Sequence, residues 1–370
     1  MTQVYTGARI FDGKAFRDGP LVVSEGTIAE HGAGETVTLD GGLLVPGFVD
    51  LQVNGGGGRM FNHSPDVETL RIMAEAHARL GATTFLPTLI TDTPEITAAA
   101  ITAVRDAIAQ GVPGIAGLHL EGPHLARPKA GAHDPDLIRP MTQSDLALLL
   151  EAASFLPLLK ITVAPETVTP DQIARLAGAG GLVSLGHSDC DFPTAQAAAG
   201  AGARCVTHLF NAMSQITSRA PGLAGAALAD GRLSAGLIAD GIHVHPATMA
   251  LALAAKQGPG QVFLVSDAMA VAGSDAQGFS LNGRTVLRAE GRLTLEDGTL
   301  AGADLDLATA IRNVTALDIP PDQALAMATR IPAEIAGLDA GRLTPGAAAD
   351  MVWLSENFDL RGVWRRGVRL

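Results

Sequence analysis

Eight polar residues close short apolar runs in this chain: Gln52 and Asn54 in FVDLQVN, Glu121 in LHLEGPHL, His187 in VSLGHSD, His208 in CVTHLFNAM, Asp240 and His243 in IADGIHVHP, and Asp267 in FLVSDAM. Glu121, His187 and His208 offer one carboxylate and two imidazoles, the ligand set of a catalytic zinc that keeps a position open for water. A metal so held lowers the pKa of that water and polarises a carbonyl. Asp267 is then the natural base, taking a proton from the water and returning it to a leaving nitrogen. A lone buried histidine is more often a satisfied core residue than a ligand, and a lone aspartate before a helix is often only its cap. Six separate runs delivering polar groups together reverse both readings. The chain has no GxSxG elbow, no HExxH and no thiol in a Cys/His setting, which leaves activated water as the nucleophile.

These residues need a scaffold that gathers strand ends. Apolar strand candidates end near Val53, Thr88, Leu120, Ala164, Gly186, Leu209, Ala239 and Ser266, with helical segments between most of them. Eight strand–helix units in about the usual ~250 residues imply an α/β fold, a TIM-like (β/α)8 barrel, whose C-terminal strand ends carry the active site. Three helix starts share one design, Ser64-Pro65-Asp66, Thr93-Pro94-Glu95 and Thr169-Pro170-Asp171: a hydroxyl N-cap, a proline in the first turn and an acid near the positive end of the dipole. Gly81 and Gly111 mark helix ends. A doubly wound sheet is the competitor, but Asn54-Gly55-Gly56-Gly57-Gly58 has neither the GxGxxG-to-helix context nor a P-loop ending. The dipeptides Asn282-Gly283 and Asp297-Gly298 are hairpin signals, so a β-hairpin insertion is expected near 279–301. Both ends of the chain read as short strands and turns. They suggest a small β-sandwich domain built from residues 1–47 and 340–370, around a barrel over 48–339.

Composition removes several function classes. The net charge of −12 repels a phosphate backbone, so no nucleic acid is expected as a partner, while a locally positive pocket still admits a small phosphorylated substrate. Cys190 and Cys205 form neither a CxxC nor a disulfide framework. They read as small buried residues. No apolar run is long enough for a bilayer and the N-terminus has no leader-like pattern, so no membrane is expected and a cytoplasmic location is the default.

The stretches VPGFVDLQVNGGGG, GLHLEGPHL, GAHDP, SLGHSD, THLFNAMSQITSRAPGLAGAAL, ADGIHVHP and LVSDAMAVAG resemble the amidohydrolase superfamily and, within it, the N-acetylglucosamine-6-phosphate deacetylase family, over nearly the whole chain. The resemblance implies hydrolysis of the acetamide of N-acetyl-D-glucosamine 6-phosphate to glucosamine 6-phosphate and acetate. It places His133 near the sugar and the acetyl carbonyl as a catalytic and binding residue. Asn211 and Ala212 become phosphate or sugar contacts, and Arg219 a phosphate contact whose guanidinium fork suits the task. His243 is implied to reach the substrate of a neighbouring subunit, hence a homodimer.

Many superfamily members carry His-x-His on strand one and bind two metals. Here the pair is Gln52-x-Asn54, and amides are weak ligands beside imidazole. One divalent metal per subunit is expected, zinc by default, with iron, cobalt or manganese able to fill an N/O site; Gln52 and Asn54 then face substrate. The rival readings are a deacetylase for the galactosamine epimer, an enzyme for another N-acyl or cyclic amide, and a non-catalytic sugar-phosphate-binding barrel. His119, two before Glu121, and His124 carry no assigned role.

Overall fold

In the computed structural model, which describes residues 2–370, eight parallel strands form one sheet in sequential order: β1 (Phe48–Val53), β2 (Ala82–Ile90), β3 (Leu118–Glu121), β4 (Leu159–Val163), β5 (Leu182–Leu185), β6 (Cys205–Val206), β7 (Ser234–Leu237) and β8 (Val262–Leu264). The ends of this sheet meet through a parallel bridge between Val53 and Ala268 and a hydrogen bond from Asn54 N to Ala268 O at 2.8 Å. The result is a nearly closed barrel. Helices α1 (Val67–Arg79), α2 (Pro94–Ala109), α3 (Gln143–Phe155), α4 (Pro170–Gly178), α5 (Phe192–Ala201), α6 (Gly222–Ala229), α7 (Pro246–Ala255) and α8 (Leu307–Thr315) follow the strands in turn. Their buried faces pack on the outward-facing Val, Leu and Ile residues of the strands in two large apolar clusters.

The local signals explain the helix boundaries. Thr93 and Thr169 cap α2 and α4, accepting from the amides of Ile96 and Gln172, each with proline in the first turn. At α1 the expected Ser64 cap is wrong by two residues. Asp66 is the cap, its Oδ1 accepting from Thr69 N at 2.8 Å, because a carboxylate can fill the same role as the hydroxyl. Gly81 (φ +92°) and Gly111 (φ +70°) follow α1 and α2 in the left-handed conformation that ends a helix without a Cβ clash.

The insertion after β8 is larger than a hairpin. It is a four-stranded antiparallel sheet, with strands at Gly278–Leu281, Arg284–Ala289, Arg292–Leu295 and Leu300–Ala303. Asn282-Gly283 makes the first turn with both φ positive (48° and 74°), and Glu290-Gly291 makes the second the same way (52° and 72°). A glutamate at a left-handed position is an unusual turn residue, so this second turn carried no signal. The chain ends build two further sheets. One contains four N-terminal strands, and the other pairs Met351–Leu354 with Leu43–Pro46, joining both termini. The apolar residues between them include Tyr5, Leu21, Leu44, Met351 and Trp364. Among the described residues no helix is long and apolar enough to cross a membrane.

Candidate metal centre and active site

The upper interior of the barrel gathers the residues that the sequence singled out. Glu121 ends β3, and its Oε1 lies 3.2 Å from His187 Nε2 and 3.0 Å from His208 Nε2. The two imidazole nitrogens are 3.0 Å apart. Ligands about 2.0–2.2 Å from a tetrahedral zinc stand a little over 3 Å from one another, so these three atoms already have the spacing of a coordination face.

Hydrogen bonding sets the character of the two neighbouring imidazoles. His187 Nδ1 lies 2.7 Å from the carbonyl of Lys129, so Nδ1 carries the proton and Nε2 presents a lone pair to Glu121. An anion and a lone pair at that distance need a cation between them, and the donor set therefore fits a divalent metal. His133 also brings a ring nitrogen within 4.8 Å of the ligand atoms of Glu121 and His187. Its Nδ1, however, accepts from Thr91 N at 3.2 Å and sits 2.8 Å from Thr91 Oγ1. That leaves the hydrogen on Nε2, a donor rather than a ligand. Burial pushes the His133 pKa down to about 3, so the ring is neutral.

Asp267 follows β8 and is buried. Its Oδ1 accepts from Asn54 Nδ2 at 2.8 Å and from Gln52 Nε2 at 3.0 Å. Gln52 Nε2 also lies 3.3 Å from both oxygens of Glu121, so one amide spans the two carboxylates. Burial, then the charge of Glu121, raises the Asp267 pKa. His187, His208 and Asp267 all have positive φ, at 47°, 31° and 50°. Such backbone costs about 1–3 kcal/mol per residue and collects at functional sites.

A pocket of about 250 Å³ opens over this cluster. Asn54, His133, Asn211, Ala212 and His243 line it, as do Met269, Thr299, Leu300 and Gly302, so the four-stranded insertion forms one wall. Arg284 of the insertion donates to the carbonyl of Ala132, next to His133. His243 lines the pocket of its own chain. Asp240 Oδ1 accepts from the amides of Ile242 and His243, and Oδ2 lies 2.6 Å from His243 Nδ1, which closes the turn and holds the ring in place. Arg219 is the outlier: it stands on an exposed loop and is not among the pocket-lining residues.

Sequence reasoning missed the residues that orient the site. Thr91 and Lys129 act through backbone or hydroxyl groups and leave no motif. His119, left unassigned, lies within a buried chain of hydroxyls. Its Nδ1 is 3.1 Å from Thr88 Oγ1 and its Nε2 2.7 Å from Thr162 Oγ1, which continues to Thr207 and Ser184. This chain lies directly beneath Glu121, two residues along β3.

A family model described as "Amidohydrolase family" matches residues 43–370. The N-acetylgalactosamine-6-phosphate deacetylase of Shewanella sp. (strain ANA-3) is 43% identical, over 95% of this chain and 94% of its own. The N-acetylglucosamine-6-phosphate deacetylase of Haemophilus influenzae is 36% identical, over 89% and 86%. The crystal structure of N-acetylglucosamine-6-phosphate deacetylase from Pasteurella multocida superposes with a TM-score of 0.94 at 34% identity, covering 100% of both chains.

Proposed function

We propose that this chain, which belongs to the amidohydrolase family, hydrolyses the acetamide of an N-acetyl amino-sugar 6-phosphate to the free amine and acetate. The observation that carries the reading is the 3.0–3.2 Å triangle of Glu121 Oε1, His187 Nε2 and His208 Nε2, with Asp267 tied to it through Gln52. Glu121, His187 and His208 would hold one divalent cation, zinc by the chemistry of the donors. Such a cation supplies Lewis acidity, lowering the pKa of water and polarising the amide carbonyl.

The chain's own groups do the rest. Asp267 Oδ takes a proton from the attacking water as the C–O bond forms. The neutral His133 directs its Nε2 hydrogen at the developing oxyanion. Asp267 then gives the proton to the sugar nitrogen as the C–N bond breaks, releasing acetate and the amine. Gln52 and Asn54 hold the Asp267 carboxylate by its Oδ1, and Asn54 also faces the pocket. Asn211, Ala212 and His243 form the far wall, where the sugar and phosphate would lie. Arg219, outside this wall, would reach the phosphate from a second copy in a homodimer.

The expected substrate is N-acetyl-D-glucosamine 6-phosphate. The galacto epimer is a second reading, favoured by the 43% identity to a deacetylase of that sugar. Acetate release from both sugar phosphates by zinc-loaded protein separates the two by kcat/KM. If neither is turned over, the amino-sugar reading fails.

A further inference from the structure

Barrels of this kind usually fill their interior with branched aliphatic side chains. Here a lysine lies inside. Lys160, the second residue of β4, is 1% exposed. Its Nζ donates to the carbonyl of Leu51 at 3.2 Å, between Asp50 and Gln52 in β1, and among the described residues no carboxylate forms an ion pair with it. A buried ammonium without a direct partner is costly, so its compensation must come from charges further away.

Those charges belong to the site. Asp50 is buried, accepting from the amides of Gln52 at 3.2 Å and Ser266 at 3.3 Å. Ser266 precedes Asp267, and Gln52 bridges Asp267 to Glu121. Burial lowers the lysine's pKa, and Cys205, Glu121, Asp50 and Asp267 act against it. Cys205 carries no charge near neutrality, since burial pushes its thiol up to about 11. The interior therefore holds three carboxylates, Asp50, Glu121 and Asp267. One divalent cation leaves one of their charges unbalanced, and the ammonium balances it.

We propose that Lys160 is a built-in counter-charge that completes the neutralisation of Asp50, Glu121 and Asp267 around a single divalent cation, a positioning residue that sets how tightly the site holds that cation without touching substrate. The proposal rests on the one-cation reading above. Two features would then keep the site to one ion: amides in place of imidazoles on β1, and a standing positive charge beneath them.

The test is a zinc titration of metal-free protein against a chelating indicator, with bound zinc per subunit measured directly. Wild type is expected to bind one equivalent; two equivalents would overturn the one-cation reading, and the charge balance with it. Lys160→Met removes the positive charge at similar volume and should bind zinc about tenfold more tightly or better. Asp50→Asn should bind several-fold more weakly, and the double variant should return to within about threefold of wild type. A merely structural lysine predicts the opposite sign, since a loosened interior weakens binding. Unchanged or weaker zinc affinity in Lys160→Met therefore overturns the proposal while leaving the one-cation reading intact. Should Lys160→Met not fold, the double variant decides: recovery toward wild type supports the counter-charge, and binding weaker than Asp50→Asn alone overturns it.

Discussion

The side-chain amide of Gln52 donates to Asp267 Oδ1 at 3.0 Å. The same nitrogen faces both oxygens of Glu121 at 3.3 Å, so a neutral donor occupies the space between two buried carboxylates. It relieves their repulsion and fixes Asp267 relative to Glu121. Replacing Gln52 with Ala should leave zinc bound and lower turnover by about 10–100-fold, the loss expected for one hydrogen bond to a charged group. Metal content and kcat measured together check this, and loss of zinc with loss of activity would contradict it.

Asp267 itself should be more sensitive. Asp267→Asn keeps the shape and the bond from Asn54 but cannot accept a proton from water. Turnover should fall by ~10²–10⁴-fold or more while zinc content stays at the wild-type level. Near-normal acetate release would remove Asp267 from the proton transfer.

The two proposed phosphate contacts differ in location. His243 lines the pocket and is anchored to Asp240, whereas Arg219 stands on an exposed loop. His243→Ala should impair the phosphorylated substrate far more than the unphosphorylated sugar. Arg219→Ala should raise KM for the sugar phosphate about tenfold or more, the scale of a charge-assisted bond. If a second copy supplies Arg219, mixing Arg219→Ala with Asp267→Asn subunits restores part of the activity in hybrid dimers. No recovery would place the arginine's action within its own subunit.

His77 ties the loop after β1 to α1, its Nε2 lying 2.8 Å from the carbonyl of Gly55. Burial pushes its pKa down from 6.5 to about 4. A histidine depressed in the folded state is protonated first in the unfolded chain, so its contribution is present above pH 6.5 and is lost as pH falls toward about 4. The shift corresponds to about 3 kcal/mol. Denaturant unfolding across that window should show the loss, and His77→Gln, which can still donate to Gly55 O, should flatten the slope. An equally steep slope in the variant would assign the acid sensitivity elsewhere.

The eight strands, the starts of α2 and α4, the ends of α1 and α2 and the Glu121–His187–His208 triangle are legible because each leaves a local mark: an apolar run with a polar terminus, a capping residue, a glycine after a helix. The residues that tune the site are not. Lys160 sits within the apolar run LLKITVAP, where nothing in the spacing tells an inward ammonium from one at the surface. Thr91 fixes the His133 tautomer across 42 positions of sequence, and the Thr88–His119–Thr162–Thr207 chain needs four strands in register before it exists. The sequence of the insertion suggests only a hairpin because just two of its three turns carry a usual turn residue before glycine.

In the proposed mechanism one divalent cation, held by Glu121, His187 and His208, activates the water that cleaves the acetamide. This role is tested most directly by titrating metal-free protein with Zn2+ while measuring initial rates of acetate release from the sugar phosphate. Release should be absent without metal, rise linearly with added Zn2+, and break sharply at one equivalent per subunit. A break at two equivalents, or release from protein shown to be free of metal, would contradict it.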